Sequence, residues 1–140
     1  MTLYEQFMEF AKQNGINTNE FFHQRENGYD FIAFGETANN DNGLIYNIAF
    51  VFYDEDDIAE LYIRKRILIE DKLEIFEKLN IFNSKYRGLS FFLEKDMICV
   101  KSYCATGGEI KLALVMMARN MERAQELFSE FEPIKKGEKY

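Results

Sequence analysis

The segment that most restricts the fold is the stretch 44–53, LIYNIAFVFY, which is apolar on both faces of a strand. Side chains alternate along a strand, so Phe50 and Phe52 belong to one face, and Val51 and Tyr53 belong to the other. An antiparallel sheet with one face in water usually alternates apolar and polar residues. The segment therefore predicts a strand that is covered on its more aromatic face by helices, and on the other face by something else.

That second face is the candidate interaction surface. The Asn-rich segment 16–28, which we interpret as a loop with a short turn of helix, could serve as an internal cover. Otherwise an apolar patch on the order of several hundred Å² lies open, which monomers seldom tolerate without use. We therefore predict that Ile45, Val51 and Tyr53 line a dimer or partner surface.

The rest of the chain divides into strands and helices by the period of its apolar residues. Short turns at 39–43 and 54–57 predict an antiparallel meander. Spacings of three and four residues, together with capping residues, predict helices. The predicted strands are 29–37, 44–53, 58–67, 89–94 and 97–105, and the predicted helices are 3–14, 70–83 and 110 to near 133.

This order of elements, α-β-β-β-α-β-β-α, predicts the α+β class. We expect a five-stranded antiparallel sheet with helices packed on it and a long amphipathic C-terminal helix. One domain is expected over 1–134, followed by a charged tail over 135–140. In the second helix the apolar face is predicted to carry Leu73, Phe76, Leu79 and Phe82, with Ile75 on its flank.

The last helix carries apolar residues alternately four and three positions apart. A heptad seam of this kind can form a coiled-coil dimer. Extra apolar residues beside the seam widen it, which favours packing on the sheet and leaves the coiled coil as the alternative. Met117 and Met121 are then expected to be buried. The seam runs through Ile110, Leu114, Met117, Met121, Ala124, Phe128 and Phe131.

The charge balance argues against one class of partner. The chain has 24 Asp and Glu residues against 17 Lys and Arg, which gives a net charge of -7. Nucleic-acid binding held by bulk electrostatics needs the opposite sign, so no nucleic-acid partner is expected. Two local basic clusters, Arg64-Lys65-Arg66 and Lys85-Tyr86-Arg87, either pair with nearby acids or bind an acidic partner or RNA.

No targeting or membrane-spanning pattern is found. The chain does not start with a basic segment followed by an apolar one, and nowhere do about 18 apolar residues run together. Cys99 and Cys104 would lie roughly 16 Å apart on opposite faces of a strand, whereas a disulfide needs Cα atoms within about 7 Å. We therefore expect free thiols, a cytoplasmic location and no membrane association.

No sequence motif indicates a catalytic activity. The glycine-rich phosphate-binding motifs are absent, and Gly107-Gly108 alone is typical of a turn. One histidine, His23, and two separated cysteines do not supply the usual tetrahedral metal set. The acidic run 54–57 lacks the spacing of a calcium loop. We expect no catalytic residue, cofactor or metal, and an enzyme that uses unrecognised carboxylates is the least favoured alternative.

The middle of the chain resembles the YbjN-like family, whose fold is shared with class I chaperones of type III secretion. The family typically shows L-N-x-x-N at the end of the middle helix, then a hairpin with an acidic turn and a long amphipathic helix. The resemblance implies a non-enzymatic protein linked to stress or signalling regulation. The residues that carry it are Leu79-Asn80-x-x-Asn83, Leu89-Ser90-Phe91-Phe92 and Asp96-x-Ile98.

Two non-enzymatic functions follow as hypotheses. The first is a cytosolic protein-interaction module, a regulator or chaperone-like adaptor, that binds a protein partner or itself as a homodimer. It predicts an apolar partner surface. The second is a small acidic inhibitor, such as an immunity protein, that blocks a basic partner. It predicts an acidic face around 54–57 and salt-sensitive association.

Overall fold

In the part of the chain that the structure describes, three α-helices accompany a six-stranded antiparallel sheet. The computed structural model describes residues 1–38, 45–55 and 57–131. The predicted turn at 39–43 and the predicted tail at 135–140 lie outside these residues. The helices are α1 (Leu3–Gln13), α2 (Lys72–Lys85) and α3 (Ile110–Phe128). The strands are β1 (Phe22–Glu26), β2 (Tyr29–Ala38), β3 (Ile45–Tyr53), β4 (Ile58–Arg66), β5 (Leu89–Glu94) and β6 (Met97–Ala105).

The prediction of five strands is wrong, because Phe22–Glu26 forms an additional strand where we expected a loop. This strand, β1, pairs antiparallel with β2 and extends the sheet at one edge, giving the order β1-β2-β3-β4-β6-β5. All five of its residues are exposed, so it lacks the apolar alternation by which strands are recognised. The missed signal is Asn27-Gly28, a two-residue hairpin turn in which Gly28 adopts a φ of 94°.

The main core lies between the helices and one face of the sheet. Phe50 and Phe52 of β3 point into it and are almost fully buried, as their alternation predicts. Leu61 and Ile63 of β4 join them on the same face. The helices contribute their buried sides to this cluster through Leu3, Phe7, Ile75, Leu79, Phe82, Ala113, Ala124, Leu127 and Phe128.

The buried stripe of α3 follows the predicted seam only in part. Met117 and Met121 are only partly buried, so the expectation that both are buried is not met. Ala124 and Phe128 of the seam are buried, together with Ala113 and Leu127 beside it. The two alanines allow the helix backbone to approach the sheet closely, which turns the larger methionines toward the flank.

The apolar face of α2 also differs from its prediction. Leu73 and Phe76 are exposed, whereas Ile75, Leu79 and Phe82 are buried. The contacting residues therefore follow the four-and-three spacing of a helix face rather than a strict spacing of three.

Gln6 of α1 caps the start of α3. Its side-chain amide donates to the carbonyl of Gly108 at 2.6 Å and accepts from the backbone N–H of Ile110 at 3.0 Å. Glu109, at the N-cap position of α3, makes no side-chain capping bond. The first helix thus supplies one hydrogen-bond acceptor that the N-terminus of α3 requires.

Candidate functional site

The candidate site is the sheet face opposite the helices, which we call the open face. Strand register places Phe31, Val51, Glu60 and Tyr103 side by side across four neighbouring strands of this face. None of these four belongs to the cluster of buried residues that joins the sheet to the helices. Within the part of the chain that the structure describes, the helices contribute to the opposite face only.

Aromatic side chains dominate the open face. Phe22 is 58% exposed and Tyr103 is 60% exposed. Phe22 packs edge-on against Phe31 with a centroid separation of 6.3 Å, and Tyr29 contacts Tyr53 at 5.9 Å. Phe22 and Phe31 come from one hairpin, whereas Tyr103 lies on β6, so these rings share a face only in the folded sheet.

A buried carboxylate, Glu60, lies at the centre of the open face and is only 5% exposed. The hydroxyl of Tyr62 donates to its Oε2 atom at 2.7 Å, and Tyr53 also hydrogen bonds to it. Burial, reinforced by the hydrogen bond to Glu60, raises the pKa of Tyr53 to about 12. The same two causes raise the pKa of Tyr62. Both tyrosines therefore stay protonated at neutral pH and act as donors to the carboxylate.

Lys101 balances the charge of this carboxylate. Its ammonium lies 5.3 Å from the ring centroid of Tyr62 and 5.0 Å from that of Tyr103, both within cation–π range. Hydrogen bonds with Tyr103 and Tyr62, together with the charge of Glu60, raise the pKa of Lys101. The open face consequently presents aromatic surface around a carboxylate and an ammonium group that are both hydrogen-bonded to Tyr62.

The three residues predicted to line an interaction surface differ in where the structure places them and in how exposed they are. Tyr53 is partly buried on the open face, and Val51 lies at its centre but is only 7% exposed. Ile45 pairs with Ala38 at the start of β3, and its side chain lies outside the described residues. The segment 16–28 does not fold over this face as a cover, because its strand β1 extends the sheet instead.

Sequence reasoning missed the residues that form most of the accessible surface. Phe22 was expected in a loop. The sequence did not show that Tyr62 and Tyr103 lie side by side, because that depends on the register of β4 and β6. Their alternation with Leu61 and with Ser102, which face the helices, could have placed them on this side.

A second polar cluster lies at the β1 edge, beside a cavity of about 530 Å³. The His23 ring stacks on Tyr4 with a centroid separation of 4.0 Å, and its Nε2 lies 2.8 Å from Oδ1 of Asp30. Arg25 donates to Asp30 at 2.9 Å and to both oxygens of Asp54. Hydrogen bonding from Arg25 lowers the pKa of Asp54. A carboxylate held ionised in this way suits an ion pair that ties β1 to the residue after β3, and it does not suit a general acid.

The two thiols lie on opposite faces of β6, as the odd spacing predicts. Cys99 pairs across the sheet with Arg64, and Cys104 pairs with Ala59. Both are free, and burial raises the pKa of Cys99 to about 11. Cys99 is therefore an unreactive thiol.

The described residues include neither a metal-binding cluster nor a membrane-spanning helix. Residues 1–38, 45–55 and 57–131 contain no group of three or more His, Cys, Asp or Glu side chains placed to hold a metal ion. In the same ranges, no helix combines the length and the apolar character that crossing a bilayer requires.

No family model and no curated protein matches the sequence. Among solved structures, the chain is similar to YbjN from E. coli, a candidate transcription regulator. The two share a TM-score of 0.54 at 9% identity, over 89% of this chain and 87% of that one. At this identity the likeness concerns the fold alone. The chain therefore has the YbjN-like α+β fold that its L-N-x-x-N motif and element order predict.

Proposed function

We propose that this chain is a non-enzymatic protein-interaction module that binds a protein partner through the open face. The observation that carries the proposal is the exposure of Phe22 and Tyr103 on a sheet face that the described helices leave uncovered. Aromatic residues are enriched at protein interfaces, where rigid rings bury a large area at low entropic cost. Tyrosine hydroxyls already hydrogen bond to both Glu60 and Lys101, which lowers the cost of burying these two charged groups under a partner.

A protein is a better partner than nucleic acid for this face. The chain carries a net charge of -7, which repels a phosphate backbone. The E. coli protein of similar fold is a candidate transcription regulator, so a regulatory role here would act through contact with another protein. A second copy of the chain is the other occupant that the same surface admits. Two free thiols are consistent with a cytoplasmic location.

The alternative of an acidic inhibitor receives less support. That hypothesis needs free carboxylates around 54–57, yet Asp54 is already engaged by Arg25. The enzyme alternative needs perturbed acids in a deep cavity. Of the described acids that line the cavity at the β1 edge, Asp54 alone has a shifted pKa, and hydrogen bonding from Arg25 lowers it.

The test introduces a charge on the open face and measures association. Phe22→Glu and Tyr103→Glu are compared with Leu73→Glu and Phe76→Glu, which alter exposed apolar residues of α2 instead. Light scattering reports the oligomeric state, and pull-down from the native host with mass spectrometry reports partners. We expect loss of a defined complex in the open-face variants only.

Two results would contradict the proposal. One is a monomeric wild type that captures no partner above the level of the Tyr103→Glu variant. The other is equal loss of binding in the α2 variants. Circular dichroism shows in each case that the variants are folded.

A further inference from the structure

A second surface, which we call the arginine groove, lies between α3 and the C-terminal end of β6. It is a cleft of about 410 Å³. Arg87, from the turn before β5, and Arg119 and Arg123, from α3, line it. This concentration of positive charge stands out in a chain whose net charge is -7.

The three arginines are available to a ligand. Among the residues that the structure describes, none of them takes part in an ion pair. No carboxylate is found among the described residues that line the cleft. Arg87 and Arg119 are exposed, and the Arg123 guanidinium lies over the Tyr86 ring at 4.9 Å, which orients it. Guanidinium groups that line one cleft without a carboxylate partner there favour the binding of an anion.

The groove also offers apolar surface. Leu112 and Val115 on α3 are each about half exposed along it. Met116 and Leu89 lie deeper, and the buried Asn120 donates to Ser102 Oγ at 2.7 Å at its base. A ligand that fits this lining carries both negative charge and a bulky apolar group.

We propose that the arginine groove binds an acidic peptide segment of a partner protein, with carboxylates on the arginines and an apolar side chain against Leu112 and Val115. Planar guanidinium groups hold carboxylates through paired hydrogen bonds. The groove borders the open face at Tyr103, which lines the cleft as well. The arginines, Leu112 and Val115 take no part in the proposed function, so variants of these residues test the groove separately from the open face. A peptide is favoured over RNA because the half-exposed Leu112 and Val115 call for an apolar side chain, which a sugar–phosphate backbone does not carry.

The test uses fluorescence anisotropy with a labelled, end-capped peptide of glutamate and leucine. Two control peptides replace glutamate by lysine or leucine by serine, and a labelled oligouridine tests for RNA. The protein variant is Arg87→Gln/Arg119→Gln. Its matched control, Lys72→Gln/Lys111→Gln, removes the same charge from exposed positions outside the groove.

We expect the glutamate–leucine peptide to bind the wild type and the lysine control variant alike. The arginine variant should bind it at least about tenfold more weakly, since each lost contact is a charge-assisted hydrogen bond. Both control peptides should bind more weakly than the glutamate–leucine peptide.

The proposal is overturned by any of three results. They are no binding of the acidic peptide, equal binding by the arginine and lysine variants, and binding of oligouridine in preference to the peptide. Thermal melting confirms that both variants are folded.

Discussion

The side chain of Asn83 pairs with the backbone of Phe91 as a neighbouring strand would. Its Nδ2 donates to the Phe91 carbonyl at 2.9 Å, and its Oδ1 accepts from the Phe91 N–H at 2.8 Å. Strand β5 lies at the edge of the sheet, so this amide satisfies two backbone groups that face away from β6. Asn83 is the second asparagine of the L-N-x-x-N motif, which thereby has a structural role in joining α2 to the sheet.

Replacement of Asn83 by alanine should lower the free energy of unfolding by about 1–3 kcal/mol, because the buried Phe91 backbone loses both partners. Asn80→Ala is the control and should change it by less than about 0.5 kcal/mol, because Asn80 is exposed like Asn83 but its side chain makes no hydrogen bond among the described residues. Urea denaturation measures both. Equal effects of the two substitutions would show that the amide pairing contributes nothing specific.

Gln6→Ala should destabilise the protein by about 1–2 kcal/mol, since the Ile110 N–H and the Gly108 carbonyl both lose their side-chain partner. The control is Gln13→Ala, because Gln13 is exposed and hydrogen bonds only to Glu9. Thermal unfolding followed by circular dichroism distinguishes them. A melting temperature unchanged in Gln6→Ala would mean that α3 does not depend on this cap.

Leu127→Ala should cost about 2–5 kcal/mol, because Leu127 is fully buried between α3 and the sheet. Met121→Ala, at a partly buried position of the predicted seam, should cost less. Chemical denaturation of both variants gives the comparison. A larger loss for Met121 would favour the seam as the true packing face of α3.

Stability should fall as pH rises from about 10 to about 12. The pKa of Tyr53 is raised to about 12 in the folded state, against about 10 when unfolded. The folded state therefore holds the Tyr53 proton more tightly than the unfolded state does. This difference adds to the free energy of unfolding below about pH 10, and the contribution is lost as the pH rises through about 12. Tyr62, whose pKa is also raised, adds to the same loss.

Tyr53→Phe should make the decline over this pH range shallower than in the wild type. Urea midpoints measured at a series of pH values give the two slopes. Identical slopes would mean that Tyr53 ionises alike in the folded and unfolded chains.

Helices, most strands and the fold class follow from the sequence alone. The spacing of apolar residues in a helix or strand depends on that segment alone, so each element can be predicted without knowledge of its neighbours. The alternation in 44–53 correctly assigned Phe50 and Phe52 to the helix side of the sheet. The strand β1 escaped detection because its residues are all exposed and impose no period.

The surfaces were decided by tertiary structure. Glu60, Lys101 and Tyr103 meet on the open face because the register of β4 and β6 aligns them, and register is a property of pairing between distant segments. Arg87 and Arg119 line the same cleft because α3 packs on the sheet beside the turn before β5. Local sequence determined which segments were strands and helices, since backbone preference and apolar period act over a few residues. Packing determined which side chains share a surface, since that depends on contacts between residues far apart in the chain.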